Sequence, residues 1–219
     1  ETDFKKLSLD KLYQISDRLL AKKTQIETYL YQQEKDLFHL QDTICLYDLT
    51  NTYFEGSGEY NDKAEFGRSK EKRKDCRLVT LGLVLDSEGF VKRSEILPGN
   101  VSEGDTLKKA LISLNVQEQL VKPVIIMDAG IATEDNIDYL KQEKYGYIVV
   151  SRKRHQQMPE DCPVITVKED DHNWVKASLH KNGETGEYEL YCHSSSREQK
   201  EQQMQNTFEK NYLEALSKL

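Results

Sequence analysis

From Val124 to Gly130 the chain reads "VIIMDAG", four apolar residues in a row that end on an aspartate. A short run apolar at every position is the pattern of a strand covered on both sides, and such strands belong to parallel sheets flanked by helices. Leu46–Gly56, "LYDLTNTYFEG", sets a second aspartate, Asp48, inside a run rich in β-branched and aromatic residues. A charge inside a strand needs a partner, so the two aspartates frame the reading of the whole chain.

The flanking segments supply the order of elements. From Ser8 to about Lys35, Leu12, Ile15, Leu19, Ile26 and Leu30 recur with a roughly helical period and no Gly or Pro intervenes, which predicts one long amphipathic helix serving as an arm or a packing helix. "TICLYDLTNTYF" predicts a strand, a Gly-containing basic loop follows, and "RLVTLGLVLDSEGFVKRSEIL" predicts two more strands around the turn "DSEG". After "PGN", Ser102 is expected to cap a helix whose apolar face holds Leu107, Ala110, Leu111 and Leu114. "PVIIMD" gives a strand, Thr133 starts a helix with Ile137 and Leu140, and "YGYIVVS" closes the series as a strand. The order β-β-β-α-β-α-β, an antiparallel meander passing into alternating helices and parallel strands, is that of the ribonuclease H-like α/β fold, a mixed sheet flanked by helices. Beyond Arg154 the pattern changes to short alternating strands, "CPVITVKED", "NWVKASLHKN" and "GEYELYCHS", and then to a helix from about Arg197 bearing Met204, Phe208, Tyr212, Ala215 and Leu219. The expected organisation is a helical segment over 1–40, a catalytic-type core over 41–154, a β-rich insertion over 155–196 and its helix over 197–219.

Composition narrows the function classes. At 219 residues, 37% hydrophobic and 32% charged, with no apolar run near the roughly 18 residues of a membrane span, the chain reads as soluble and cytoplasmic rather than membrane-bound. It shows no secretory signal pattern and begins without Met, which suggests a piece of something longer. Cys45, Cys76, Cys162 and Cys192 lie far apart with no Cys-x-x-Cys pair, so free thiols are expected. A zinc site from Cys162, His172, His180 and Cys192 or His193 matches no finger or ribbon spacing. The net charge of -7 hides an uneven distribution. Arg68, Lys70, Lys72, Arg73 and Lys74 crowd one loop, and Arg152 and Lys153 follow the last strand of the core. Such basic spots are candidate phosphate contacts or simply solvated charge.

Two carboxylates on adjacent parallel strands stand about 4.8 Å apart, one strand spacing, and close like charges call for a cation. Hard oxygen ligands suit Mg²⁺ or Mn²⁺, and a two-metal site can activate a water or a 3′-hydroxyl and stabilise the leaving oxygen in phosphodiester displacement. The alternatives are a hydrogen-bonded strand carboxylate for Asp48 and a turn former before "AG" for Asp128. "GSGEYN" falls short of a dinucleotide fingerprint, and no phosphate-binding G-x4-G-K-[ST] loop exists. "DLTNT" matches the nucleophile motif of haloacid dehalogenase-like phosphatases only faintly, with Thr50 where its second acid should be.

"YDLTNTYFEG", "FGRSKEKRKDCRLVTLGLVLDSEGF", "LPGNVSEGDTL" and "IIMDAGIATEDN" resemble, in order, successive blocks of the DDE transposases of bacterial insertion sequences, in the branch where a β-rich insertion precedes the last acidic residue. The resemblance runs from about Thr43 to the C-terminus. It implies that Asp48 and Asp128 are the first two catalytic carboxylates and hold Mg²⁺ or Mn²⁺. It also implies that the partners are transposon-end and target DNA, with self-association only on DNA, in a bacterial cytoplasm. By the same resemblance Trp174 is a candidate for stacking a flipped base, against the plainer reading of a core tryptophan. The family's third carboxylate comes from a Tyr-x2-Arg-x3-Glu-x6-Lys helix, and that motif is missing. Arg197 and Glu201 have the Arg-x3-Glu spacing, but Ser194 and Phe208 stand where Tyr and Lys should be. The expectation is a chain that stops before its catalytic Glu and is inactive alone. A ribonuclease H-like nuclease and a non-catalytic DNA-binding remnant are the rival readings.

Overall fold

The computed structural model describes residues 8–68, 73–114, 122–151, 162–170 and 173–216. Two compact units divide the chain, Glu1–Arg152 and Lys153–Leu219.

In the first unit five strands form one mixed sheet in the order β3-β2-β1-β4-β5, with β1 at Ile44–Tyr53, β2 at Leu78–Leu85, β3 at Val91–Pro98, β4 at Val124–Met127 and β5 at Tyr147–Val149. β1, β2 and β3 pair antiparallel, whereas β4 pairs parallel with both β1 and β5. This is the ribonuclease H-like arrangement that the order of segments implies. The β2–β3 turn is made by Asp86, fully buried, whose Oδ1 accepts the N–H groups of Glu88 and Phe90, each at 2.9 Å, while Gly89 takes the left-handed φ of 91°.

One face of the sheet carries the core. Cys45, Tyr47 and Leu49 of β1, Val84, Leu97, Ile125 and Met127 pack against Leu107, Ala110 and Leu111 of helix α2 (Leu107–Ser113) and Leu140 of helix α3 (Glu134–Gln142). Burial pushes the Cys45 thiol up to about 11, so it behaves as a small apolar group. All four cysteines are free thiols. Two sequence expectations need correction here. β4 was expected to be covered on both sides, yet Ile125 and Met127 are buried while Val124 and Ile126 stay half-exposed, because α2 and α3 pack into the core on the Ile125 side. Ser102 does not cap α2: it precedes a 3₁₀ turn, Glu103–Asp105, its side chain makes no cap hydrogen bond, and the helix begins only at Leu107.

Helix α1 (Leu9–Phe38) matches the long apolar period, and of the two roles that period allows it fits the exposed arm rather than the packing helix. None of its 30 residues is buried, and Leu12, Leu19 and Leu30 are exposed. Ser8 caps it, His39 ends it in the left-handed conformation at φ 54°, and polar contacts attach its C-terminal half to β3. Glu27 accepts from Ser94 N–H at 3.2 Å and pairs with Lys23 at 2.7 Å and Arg93 at 3.5 Å. Nearer the helix end, Asp42 gathers Lys35, the buried Lys92 and the Tyr31 hydroxyl, the last at 2.7 Å. Burial alone would raise the Asp42 pKa, but those three donors outweigh it and hold the carboxyl well below the usual range.

The basic loop between β1 and β2 has a fixed root. Glu65 and Leu78 exchange backbone hydrogen bonds of 3.1 and 2.9 Å, and Gly99 N–H donates to Lys63 O at 3.0 Å. The main chains touch: a Cβ on Gly99 would lie 2.0 Å from Leu78 O, and one on Gly67 2.0 Å from Gly99 O. Only glycine lets these backbones approach so closely.

The second unit is a three-stranded antiparallel sheet, β6 (Val164–Glu169), β7 (Trp174–Lys181) and β8 (Tyr188–Ser194), followed by helix α4 (Ser195–Leu216). Ser195, buried, accepts the Trp174 N–H at 3.0 Å and so joins the helix start to β7. Beyond it, Met204, Phe208 and Tyr212 are exposed. No described helix is long and apolar enough to cross a membrane.

Three substitutions probe these contacts. Gly99→Ala should lower stability by about 1–3 kcal/mol, the cost of overpacking, seen as an earlier urea midpoint. Gly56→Ala, whose Cβ would meet nothing within 4 Å, should stay within about 0.5 kcal/mol. Asp42→Asn should cost about 1.5–3 kcal/mol. Because the folded pKa of Asp42 lies well below its unfolded value, its contribution is complete above about pH 5, begins to fade near the unfolded pKa of about 4 and is lost progressively as pH falls toward the lower folded value. Acid titration of the helical circular dichroism should therefore show a loss in that window that Asp42→Asn removes.

Candidate functional site

Parallel pairing sets the two aspartates side by side. The ladder between β1 and β4 runs from Ile44 opposite Val124 to Tyr47 opposite Met127. Asp48 is the next residue of β1 and Asp128 the first residue after β4, so they stand at the same level. Tyr47 and Met127 are buried in the core, and alternation sends the following residue off that face. Both aspartates are exposed. On its other side Asp48 lies opposite Leu83 of β2.

The two carboxylates differ in how they are held. Among the described residues no hydrogen bond or ion pair engages the Asp48 side chain. Asp128 does act as a turn former: its Oδ1 accepts Ile131 N–H at 3.1 Å and its backbone oxygen accepts Ala132 N–H at 3.1 Å. The turn reading and the ligand reading are thus compatible, since one oxygen fixes the side chain and the other stays available. Hard oxygen donors at one level of a sheet, neither with a basic partner among the described residues, fit a hydrated divalent cation. Among the described residues no group of three or more metal-ligating side chains converges.

A further carboxylate comes close to Asp128. A Cβ on Gly130 would lie 2.1 Å from Glu103 Oε2 and 3.3 Å from Asp128 Oδ1, so both side chains border the space above that glycine. Asn136, 1% exposed, donates to both Gly104 O and Ile131 O and joins the turn bearing Glu103 to the turn of Asp128. Sequence reasoning missed both residues. The available signals were the acid in "SEGD", and an asparagine four residues before Leu140 and therefore on the apolar face of α3.

The basic loop is more self-engaged than its charge suggests. Arg73 lies over the Tyr53 ring at 4.6 Å, is bonded to Asp75 through Nε at 3.0 Å, and has Glu55 at 3.7 Å. Arg77 stands over Phe66 and donates to Ala64 O at 3.0 Å. Arg68 and Lys74 are exposed, and Arg68 O accepts from the Asn51 side chain at 3.1 Å. Lys70, Lys72, Arg152 and Lys153 lie outside the described residues.

In the second unit Trp174 is half-buried, edge-on to His193 with ring centroids 5.1 Å apart and with Lys176 Nζ 4.9 Å from its ring centre. Cys162 Sγ and His180 Nδ1 approach to 3.4 Å, whereas Cys192 lies opposite Ala177 and so points to the other face of that sheet from His180. His193 lies opposite Lys176, four residues along β7 from His180, and among the described residues no three metal-ligating side chains come together, so the zinc grouping does not form among them; His172 lies outside the described residues. Glu201 pairs with Arg197 one turn away on α4.

Several solved transposase structures resemble the chain weakly. A Mos1 transposase paired-end complex with the left transposon end shares 16% identity over 57% of this chain and 40% of that one, with a TM-score of 0.34. The Mos1 strand transfer complex shares 19% over 59% and 41%, with a TM-score of 0.33. A piggyBac transposase synaptic complex with hairpin DNA shares 15% over 70% and 33%, with a TM-score of 0.33. The chain thus spans well under half the length of these proteins. No protein of curated function matches it in sequence. The model of the Transposase DDE domain family matches residues 39–207, which takes in both aspartates, the basic loop and the three-stranded sheet. The chain belongs to the Transposase DDE domain family.

Proposed function

We propose that this chain is the catalytic-core part of a DNA transposase that cuts transposon ends by metal-dependent phosphodiester hydrolysis and joins the freed 3′-hydroxyl to target DNA. The observation that carries this reading is the level placement of Asp48 and Asp128 on adjoining parallel strands inside a match to the Transposase DDE domain. Asp48 and Asp128 are the residues that would hold Mg²⁺ or Mn²⁺. A bound divalent ion supplies an activated water or 3′-hydroxyl and neutralises charge on the leaving oxygen. Asp48, unengaged among the described residues, offers both oxygens. Asp128 offers the one that Ile131 leaves free, in an orientation the turn fixes.

Arg68, Lys70, Lys72, Lys74, Arg152 and Lys153 are the proposed phosphate contacts. Arg73 belongs with them in sequence, but its bonds to Asp75 and its seat on Tyr53 favour a bracing role in the loop. Trp174, with its ring half-exposed, is the candidate for stacking on an unpaired base. The three-stranded sheet and α4 would form the β-rich insertion between core and third carboxylate. Glu201, bonded to Arg197 on the surface of α4, is not assigned to that third position. A bacterial insertion sequence, a cytoplasmic setting and self-association on DNA complete the reading.

The decisive experiment uses Mn²⁺ and a duplex carrying the ends of the element that encodes the protein. The longer protein containing this chain should release 3′-hydroxyl ends at the element's boundary and join them to a second duplex. Asp48→Asn and Asp128→Asn should each lower the rate at least about 100-fold, since even residues behind metal ligands cost 10–100-fold. Cutting without joining would make the protein a nuclease. Binding without cutting would make it a regulatory remnant.

Salt dependence tests the loop separately. Lys74→Ala should reduce the slope of log affinity against log salt by about one phosphate contact, whereas Arg73→Ala should change it less, its charge being balanced by Asp75. An equal loss for both would show that Arg73 leaves Asp75 for the DNA.

A further inference from the structure

Asn136 sits in the first turn of α3 with 1% exposure and uses both protons of its amide. Nδ2 donates to Ile131 O at 2.8 Å and to Gly104 O at 2.7 Å. Its backbone is fixed as well, because its N–H donates to Thr133 Oγ1 at 3.2 Å, the cap of α3. Packing alone would be served by an apolar side chain, and a buried amide is tolerated only when bonded. What the amide adds is a link between two main-chain segments, and one of them carries Asp128.

The link is short. Ile131 donates its N–H to Asp128 Oδ1 and receives the Asn136 amide at its carbonyl. A single residue thus relays the position of a buried side chain to an exposed carboxylate. From the other side, the Glu103–Asp105 turn is pressed against the same region: a Cβ on Gly104 would lie 2.6 Å from Thr133 Cγ2. Thr106 Oγ–H, bonded to Glu103 O at 2.7 Å, steadies that turn in its own right. With its Ile131 end tied to α3 through Asn136 and its Asp128 end following directly from β4, the turn has little freedom to rotate the Asp128 side chain.

We propose that Asn136 is a positioning residue for Asp128. It acts through the Ile131 main chain, and it fixes the direction in which the free Asp128 oxygen meets a divalent cation. The proposal rests on the reading of Asp128 as a metal-holding carboxylate. Asn136 itself touches neither cation nor DNA.

The test is Mn²⁺ binding by the 219-residue chain, followed through the electron paramagnetic resonance signal of free Mn²⁺, with thermal unfolding recorded in EDTA for every variant. Asn136→Ser and Asn136→Ala should weaken Mn²⁺ binding about 10-fold or more, the usual consequence of losing a group that orients a ligand. Asp42→Asn, which lowers stability just before β1, six residues ahead of Asp48 and at the opposite end of the β1–β4 ladder, serves as the comparison and should leave the affinity unchanged at an equal loss of melting temperature. A purely structural Asn136 would behave like Asp42, with a lower melting temperature and wild-type affinity. That result, alongside loss of binding in Asp128→Asn, would overturn the positioning role while leaving the metal site intact. Wild-type affinity in Asp128→Asn would instead remove the metal reading of Asp128 and the proposal with it.

Discussion

The register between β1 and β4 is the constraint on which everything else in the first unit depends. A parallel pair cannot be joined by a tight turn, so the chain must leave β1, build two antiparallel strands and a helix, and return before Asp128 can stand beside Asp48. With Tyr47 opposite Met127, those side chains enter the core and the next residues leave it. A slip of one residue would bury one aspartate among Leu107, Leu111 and Leu140 and expose an apolar neighbour, at a cost no other contact could offset. Core packing and the placement of charge are therefore one requirement.

Much of this could be read from the sequence because it is periodic. The meander, the two helices of the core and the strand ending on Asp128 announce themselves through local spacing. The second sheet does so through its short alternating runs. Burial was less legible. Apolar residues at every position of β4 suggested two covered faces, yet Ile126 is half-exposed, and the apolar stripe of α1 left an arm and a packing helix both open, of which the exposed Leu19 fits the arm. Periodicity says which residues are compatible with burial, and only the tertiary neighbours decide which are buried.

The features hardest to foresee connect residues distant in sequence. Asn136 reaches back 32 positions to Gly104, and Glu27 reaches 67 to Ser94. Arg73 looked like a phosphate contact because its local charge count is basic, but Asp75 and the face of Tyr53 occupy it first. Charge counting treats side chains as independent. Here a neighbouring carboxylate and an aromatic ring engage one arginine, while Lys74, the residue beside it, is exposed.

The crossing of Gly67 and Gly99 separates two properties of a loop, its side chains and its placement. Main chain lies against main chain at that point, so no side-chain adjustment elsewhere can make room for a larger residue at either position. The Glu65–Leu78 pairing and the Lys63–Gly99 bond hold the base of the loop by main-chain contacts, which do not depend on the side chains the loop carries. A relative could therefore change the size or charge of side chains on this loop while its base emerged from the same place on the sheet, so that the surface diversifies over a constant frame.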